Sequence, residues 1–257
     1  MPGLSAAAVF RYRGPRGTLI VKRTTPRESR FYREVRPVLH GRGVRAPQCH
    51  FDLSVAGETW LGLEHLPAAF PAAAFPCDAS MLGALAALHS TRLASAPRHL
   101  VHAWTDGLAH RVASQYGPLR ENVMTRLERL RATPRCENVL VWGDANPGNW
   151  ALGDDGEPVL LDWQRWGAGS RAFDLATFIP GFADCAAVRR VAEEYVTTCD
   201  AHGHEPPPRE LLAGDILRAK AWSVLELLDE PAEPGSSLAS EQAMMRAPFA
   251  QWLEACA

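Results

Sequence analysis

Residues 139–178 run VLVWGDANPGNWALGDDGEPVLLDWQRWGAGSRAFDLATF. The apolar run from Glu137 to Trp142 has the length and composition of a short strand. It delivers Asp144 into a loop of Gly, Pro and Asn that reaches Asn149. Such a loop cannot pack as core, so its polar side chains face a cleft or solvent. Gly153-Asp154-Asp155-Gly156 is a hairpin turn, and Pro158 to Trp163 is the returning strand, which presents Asp162. Asp and Asn also favour turns because they hydrogen-bond their own backbone. The Asp-x-x-x-x-Asn spacing therefore says little alone, and its weight comes from strand, loop, hairpin and second aspartate together. Two carboxylates and one amide reach one mouth, an oxygen set suited to Mg²⁺, which keeps room for phosphate oxygens.

Upstream, Ala6 to Arg13 and Thr18 to Lys22 predict a β-hairpin around Gly14-Pro15-Arg16-Gly17. Pro26 suits the first turn of a helix capped by Thr24 or Thr25. That helix is expected to carry Glu28, Phe31, Tyr32 and Val35 and to stop at Pro37. Residues 48–55 and 59–66 predict a second strand pair. Residues 67–77, rich in proline and alanine, predict a linker. Beyond it Met81, Leu82, Leu85, Leu88 and His89 form a helical stripe, and 107–116 and 119–132 are further helices. From about 171 the chain reads as helices broken near 203–208 and 230–237. The expected organisation is a β-rich N-lobe, residues 1–66, and a larger helical C-lobe, residues 67–257.

The chain has 257 residues, 47% of them hydrophobic, enough for a sizeable core. A formal net charge of −2 and the absence of a basic block exclude nucleic acid and membrane surfaces as expected partners. No apolar run is long enough for a transmembrane helix. The six cysteines are irregularly spaced, with no C-x-x-C pair. That pattern predicts reduced thiols and a cytoplasmic protein.

With these residues in view, Trp142-Gly143-Asp144 through Asn149 resembles the catalytic loop of aminoglycoside and choline kinases. Leu161-Asp162-Trp163 resembles their metal-binding segment, and Phe173-Asp174-Leu175-Ala176 the start of their next helix. The resemblance spans roughly residues 9–180. It implies an α+β, protein-kinase-like fold of two lobes and a phosphotransferase using Mg²⁺ and ATP or GTP. Asp144 would accept or orient the proton of an acceptor hydroxyl. Asn149 and Asp162 would hold Mg²⁺, and Asp174 would brace the loop. Lys22, at the end of Leu-Ile-Val-Lys, matches the phosphate-pairing lysine, with Glu28, rather than Glu34, as its helix partner. Leu63-Glu64-His65-Leu66 falls where the hinge meets the adenine, so Glu64 and Leu66 are nucleotide-contact candidates.

Two positions depart from the family pattern. Trp142 stands where the family usually has a structural histidine, and it can fill the same space. Only 21 residues precede Lys22, so a first strand and phosphate-covering loop are expected to be short or missing. The acceptor is expected to be a small molecule with a hydroxyl. An antibiotic leads, an aminoglycoside or cationic peptide. The acidic run Glu226, Asp229, Glu230 and Glu233 lies where the family collects acids for cationic drugs, but it reads first as a solvated helix end. The alternatives are a metabolic kinase for a choline-like, sugar or amino-alcohol acceptor, and a nucleotide-binding pseudokinase. His202-Gly203-His204-Glu205 reads as a solvated loop, since its spacing lacks helical separation of metal ligands.

Overall fold

A computed structural model describes residues 8–15, 17–76, 78–99, 104–132, 134–135 and 137–256. Ala6 and Ala7 of the expected first strand, Arg16 of its turn, Cys77 and Cys136 lie outside them. Val9–Gly14 (β1) and Gly17–Thr24 (β2) form the hairpin, with Val9 opposite Lys22. Cys49–Val55 (β3) and Glu58–Glu64 (β4) complete an antiparallel sheet of order β1-β2-β4-β3. Gly62 is required in β4, because the Phe51 ring lies where a Cβ would go.

The helical segment between β2 and β3 runs as Pro26–Arg30 (α1), a π-helical turn Phe31–Val35, and Arg36–His40 (α2). Of the two candidate caps it is the Thr25 hydroxyl that accepts from the Glu28 amide, at 3.3 Å. The expected stop at Pro37 does not occur. The wider turn hands over to a fresh α-helical segment with Pro37 in its first turn, where a missing N–H costs little.

Past β4, Ala68–Ala69 (β5) joins a separate three-stranded sheet. Its partners are Trp150–Leu152 (β7) and Pro158–Leu160 (β8). Val139–Val141 (β6) pairs with Gly167–Gly169 (β9). The strand expected to reach Trp163 ends at Leu160, since Asp162 leaves extended geometry at φ +54°. The helices are Ala79–Ser90 (α3), Asp106–Ser114 (α4), Arg120–Leu130 (α5), Ala172–Phe178 (α6), Cys185–Ala201 (α7), Arg209–Asp229 (α8) and Ser237–Cys256 (α9). Both expected helix breaks fall between these last three.

The result is the expected α+β arrangement, a small antiparallel N-lobe sheet against a helical C-lobe. The C-lobe core is fully buried at Leu85, Leu88, Leu175, Phe178, Ile216 and Leu225. Each such side chain contributes about 1.5–3 kcal/mol. The cysteines depart from expectation. Trp252 Nε1 donates to Ala183 O at 3.0 Å and docks the end of α9 on the start of α7. Cys185 and Cys256 meet there as a disulfide with Cα atoms 6.0 Å apart, while Cys49 and Cys199 are free.

Candidate active site

β6 leads straight into Trp142, Gly143 and Asp144. Gly143 has φ +88°, and a Cβ there would meet His99 Nε2 at 2.5 Å, so only glycine fits. The amides of Trp142 and Gly143 donate to the Asp174 carboxylate at 2.8 and 2.6 Å. His89 Nε2 lies 3.0 Å from the same carboxylate, and its Nδ1 lies 2.7 Å from the Tyr195 hydroxyl. Burial pushes the His89 pKa down. The neutral ring then donates from Nε2 to Asp174 and accepts the Tyr195 proton at Nδ1, the one tautomer that satisfies both bonds. Asp174, wholly buried, is thus the brace of the loop, and His89 is the brace of Asp174.

Asp144 itself is only half-buried. Its Oδ1 accepts from Asn146 Nδ2 at 2.7 Å, and its carbonyl accepts from Asn149 Nδ2 at 2.9 Å. Asn149 ends a 3₁₀ turn, and its carbonyl accepts the Leu161 amide at 2.8 Å, tying loop to hairpin. Burial raises the Asp144 pKa; the Asn146 bond opposes that, and the nearby Asp162 adds to it.

Asp162 holds a left-handed backbone, which costs a non-glycine residue about 1–3 kcal/mol. The Trp142 indole offsets this by donating to the carbonyls of Leu161, at 2.8 Å, and Asp162, at 3.1 Å. From the N-lobe, Lys22 Nζ reaches Asp162 Oδ1 at 2.9 Å and Glu28 Oε1 at 3.0 Å. Glu28 also accepts from the Trp163 amide at 3.1 Å and from the Thr24 hydroxyl. Glu34 instead pairs with Arg30 on the exposed side. The Lys22–Glu28–Asp162 bridge therefore spans the two lobes. Burial lowers the Lys22 pKa, but its two carboxylate neighbours more than reverse this and hold it above 10.5. Burial likewise raises Glu28, with Lys22 pulling it back.

A divalent cation fits this oxygen set. Asp162 Oδ2 and Asn149 Oδ1 have no protein donor among the described residues. Among the described residues, no three acidic, histidine or cysteine side chains converge there into a complete cage. An ion held by few protein ligands completes its shell from phosphate and water, as Mg²⁺ does. At the hinge, the Glu64 amide donates to Gln48 O at 2.8 Å, so its donor is taken. Leu66 makes no backbone hydrogen bond among the described residues.

In the acidic run Glu226, Asp229, Glu230 and Glu233, two carboxylates are occupied. Glu226 is buried and paired with Arg165 at 2.6 Å. Asp229 forms a two-pronged pair with Arg111, both bonds 2.7 Å. Glu230 and Glu233 are exposed.

Sequence reasoning missed the part played by four tryptophans. Besides Trp142, the indole of Trp150 donates to Ala145 O at 3.0 Å, that of Trp163 to Leu160 O at 2.8 Å, and that of Trp166 to Arg27 O at 2.9 Å. Each of these last three buried rings pegs a site segment through one backbone carbonyl. The signal was there in the clustering of Trp142, Trp150, Trp163 and Trp166, half of the chain's eight tryptophans. His99, packed on Gly143 and held neutral by burial at a pKa of about 4, was also missed, having no motif around it.

A model of the phosphotransferase enzyme family matches residues 2–212. No curated protein matches. Among solved structures, a microcompartment-associated aminopropanol kinase shares 15% identity, with TM-score 0.67, over 98% of this chain and 90% of its own. A spectinomycin phosphotransferase in complex with ADP and spectinomycin shares 14%, with TM-score 0.65, over 99% and 91%. An aminoglycoside phosphotransferase from Alicyclobacillus acidocaldarius shares 16%, with TM-score 0.59, over 96% and 89%.

Proposed function

The chain belongs to the phosphotransferase enzyme family, and on that premise we propose that it transfers the γ-phosphoryl group of ATP or GTP to a hydroxyl of a small molecule. One observation carries this: Lys22 bridges Glu28 and Asp162 at the mouth that also holds Asp144. Phosphoryl transfer needs positioning and charge stabilisation more than covalent chemistry. The Lys22 ammonium supplies fixed charge to nucleotide phosphates, and Glu28 fixes its position. Asp144 orients the acceptor hydroxyl and takes its proton as the oxygen bonds to the γ-phosphorus and the β,γ-bridging oxygen departs. A carboxylate with a raised pKa suits that proton. Asn149 and Asp162 would hold Mg²⁺, which supplies neutralisation of phosphate charge when bound. Leu66, with Glu64 beside it, would border the adenine or guanine.

The expected antibiotic acceptor, an aminoglycoside or cationic peptide, calls for free carboxylates on the acceptor side. Arg165 and Arg111 already occupy Glu226 and Asp229. That favours the second reading, a metabolic kinase whose acceptor carries little positive charge, such as a sugar or simple amino alcohol. Retention of Lys22, Asp144, Asn149 and Asp162 speaks against a pseudokinase.

The test is nucleoside diphosphate release over an acceptor panel of aminoglycosides, a cationic peptide, choline, sugars and amino alcohols. Acceptor-dependent release with sugars or amino alcohols, absent in Asp144→Asn, is expected. Release with none of the panel, or equal release by the variant, contradicts the proposal.

A further inference from the structure

A cavity of about 310 Å³ has none of Lys22, Asp144, Asn149 or Asp162 in its lining. Arg42, Arg92 and Arg171 line it, with His89, Ser90, Gly203, His204 and Glu205. Three guanidiniums thus face a space with one carboxylate of its own. Arg171, buried on the floor, gives Nε to Glu137 at 2.7 Å and Nη1 to the Tyr195 hydroxyl at 3.4 Å. Its Nη2 has no acceptor among the described residues. Arg42 and Arg92, on the rim, have no ion-pair or hydrogen-bond acceptor among the described residues either. They follow the C-termini of α2 and α3, yet neither guanidinium bonds the carbonyls it follows. Arg42 and Arg92 are exposed and solvated, so their guanidiniums are open to an incoming anion, and guanidiniums pair readily with carboxylate or phosphate. The field is also felt at His204, whose pKa is pulled below its usual value by partial burial, with His202 and Arg42 adding to the effect.

We propose that this cavity is a second binding site, for a phosphate-bearing small molecule, with Arg42 and Arg92 clasping the phosphate over Arg171. Arginine forks match phosphate oxygens in pairs. The volume is about ten times one water's share of liquid, so a lone oxyanion leaves room for a small carbon group beside it. The floor is continuous with the catalytic brace. Arg171 touches Tyr195, Tyr195 bonds His89, His89 bonds Asp174, and Asp174 holds the amides of Trp142 and Gly143. Arg42 sits just beyond the helical segment that carries Glu28. An occupant would therefore touch groups bonded to both halves of the active site without entering it.

The test is calorimetric titration of protein saturated with Mg·ADP, which fills the nucleotide cleft. Inorganic phosphate is the first probe and glycerol 3-phosphate the second. Wild type is compared with Arg42→Gln, Arg92→Gln and the double variant, all at exposed positions. Saturable binding is expected, weakened about tenfold by each single substitution, the loss of one charge-assisted bond. The His204 imidazole resonance should shift on titration and stay fixed in the double variant. Tighter binding of glycerol 3-phosphate assigns the site to a phosphate monoester, and equal binding of both assigns it to free phosphate. No saturable binding of either probe, or equal binding by wild type and double variant, overturns the proposal.

Discussion

Asp162 follows β8 and Asp174 lies in α6 beyond β9, and their surroundings differ in every respect that matters. Asp174 is wholly buried, and its oxygens accept two backbone amides and His89. Asp162 is part exposed, lends one oxygen to Lys22 and leaves the other without a protein donor among the described residues. Asp144, on the loop that Asp174 braces, is nearer to Asp162 in kind: half-buried, with a raised pKa and with Asn146 donating to its Oδ1. The same functional group becomes scaffold where the protein gives donors to both its oxygens and reagent where it leaves one open. Stability and activity should therefore separate cleanly between the two kinds.

The largest expected effect is on rate. Asp144→Asn should lower kcat by roughly 10²–10⁴-fold, the usual contribution of a positioned base. Because burial works against the Asp144 charge, the same change should leave the thermal midpoint unchanged or slightly higher. A large fall in melting temperature would place Asp144 with the scaffold instead. The mirror experiment is Asp174→Asn, which should cost about 3 kcal/mol, as breaking a buried charged network does. In a chain of this size that lowers the melting temperature by on the order of 10 °C. An Asp174 variant that melts like wild type would end the distinction.

Lys22→Met tests the bridge through pH. The Lys22 pKa is raised above 10.5 in the folded protein. Its stabilising contribution is complete below the unfolded value and is lost as pH climbs through the folded one. Wild type should lose stability above pH 10.5 more steeply than the variant in urea titrations, and parallel curves would remove the bridge from the account. For Asp144, whose folded pKa is also raised, the acid limb of kcat/KM should lie above 3.8, because the carboxylate must be ionised to take a proton. A limb at or below that value would assign the proton to another group. The smallest effect is expected at Trp142→Phe, which keeps the ring and removes the donor to Leu161 and Asp162. It should cost about 1 kcal/mol, one net hydrogen bond, and weaken Mg·nucleotide binding more than it slows turnover. Denaturant melts and nucleotide titrations read both.

The two-lobed arrangement and the residues Asp144, Asn149 and Asp162 were legible because local rules agree there: strand, glycine-rich loop, hairpin, strand end. Lys22 and Glu28 were legible because a strand end and a helix start lie within a few residues of each other. The continuation through Pro37 was hidden, since a π turn leaves no mark on apolar spacing. β9 was hidden because Gly167–Gly169 has no intrinsic preference for a strand and is held by pairing with β6. Trp142 looked like a space-filler because its indole acts on carbonyls that come near only once the hairpin closes. The Cys185–Cys256 contact and the three-arginine cavity depend on residues far apart in sequence, and no local pattern announces either.

The most direct test is calorimetric titration of ATP and GTP, with and without Mg²⁺, into wild type and Asp162→Ala. Magnesium-dependent binding of at least one nucleotide, lost or strongly weakened in the variant, is the expected result. Absence of nucleotide binding, or binding indifferent to both Mg²⁺ and Asp162, would contradict a phosphotransferase site at Lys22, Asp144 and Asp162.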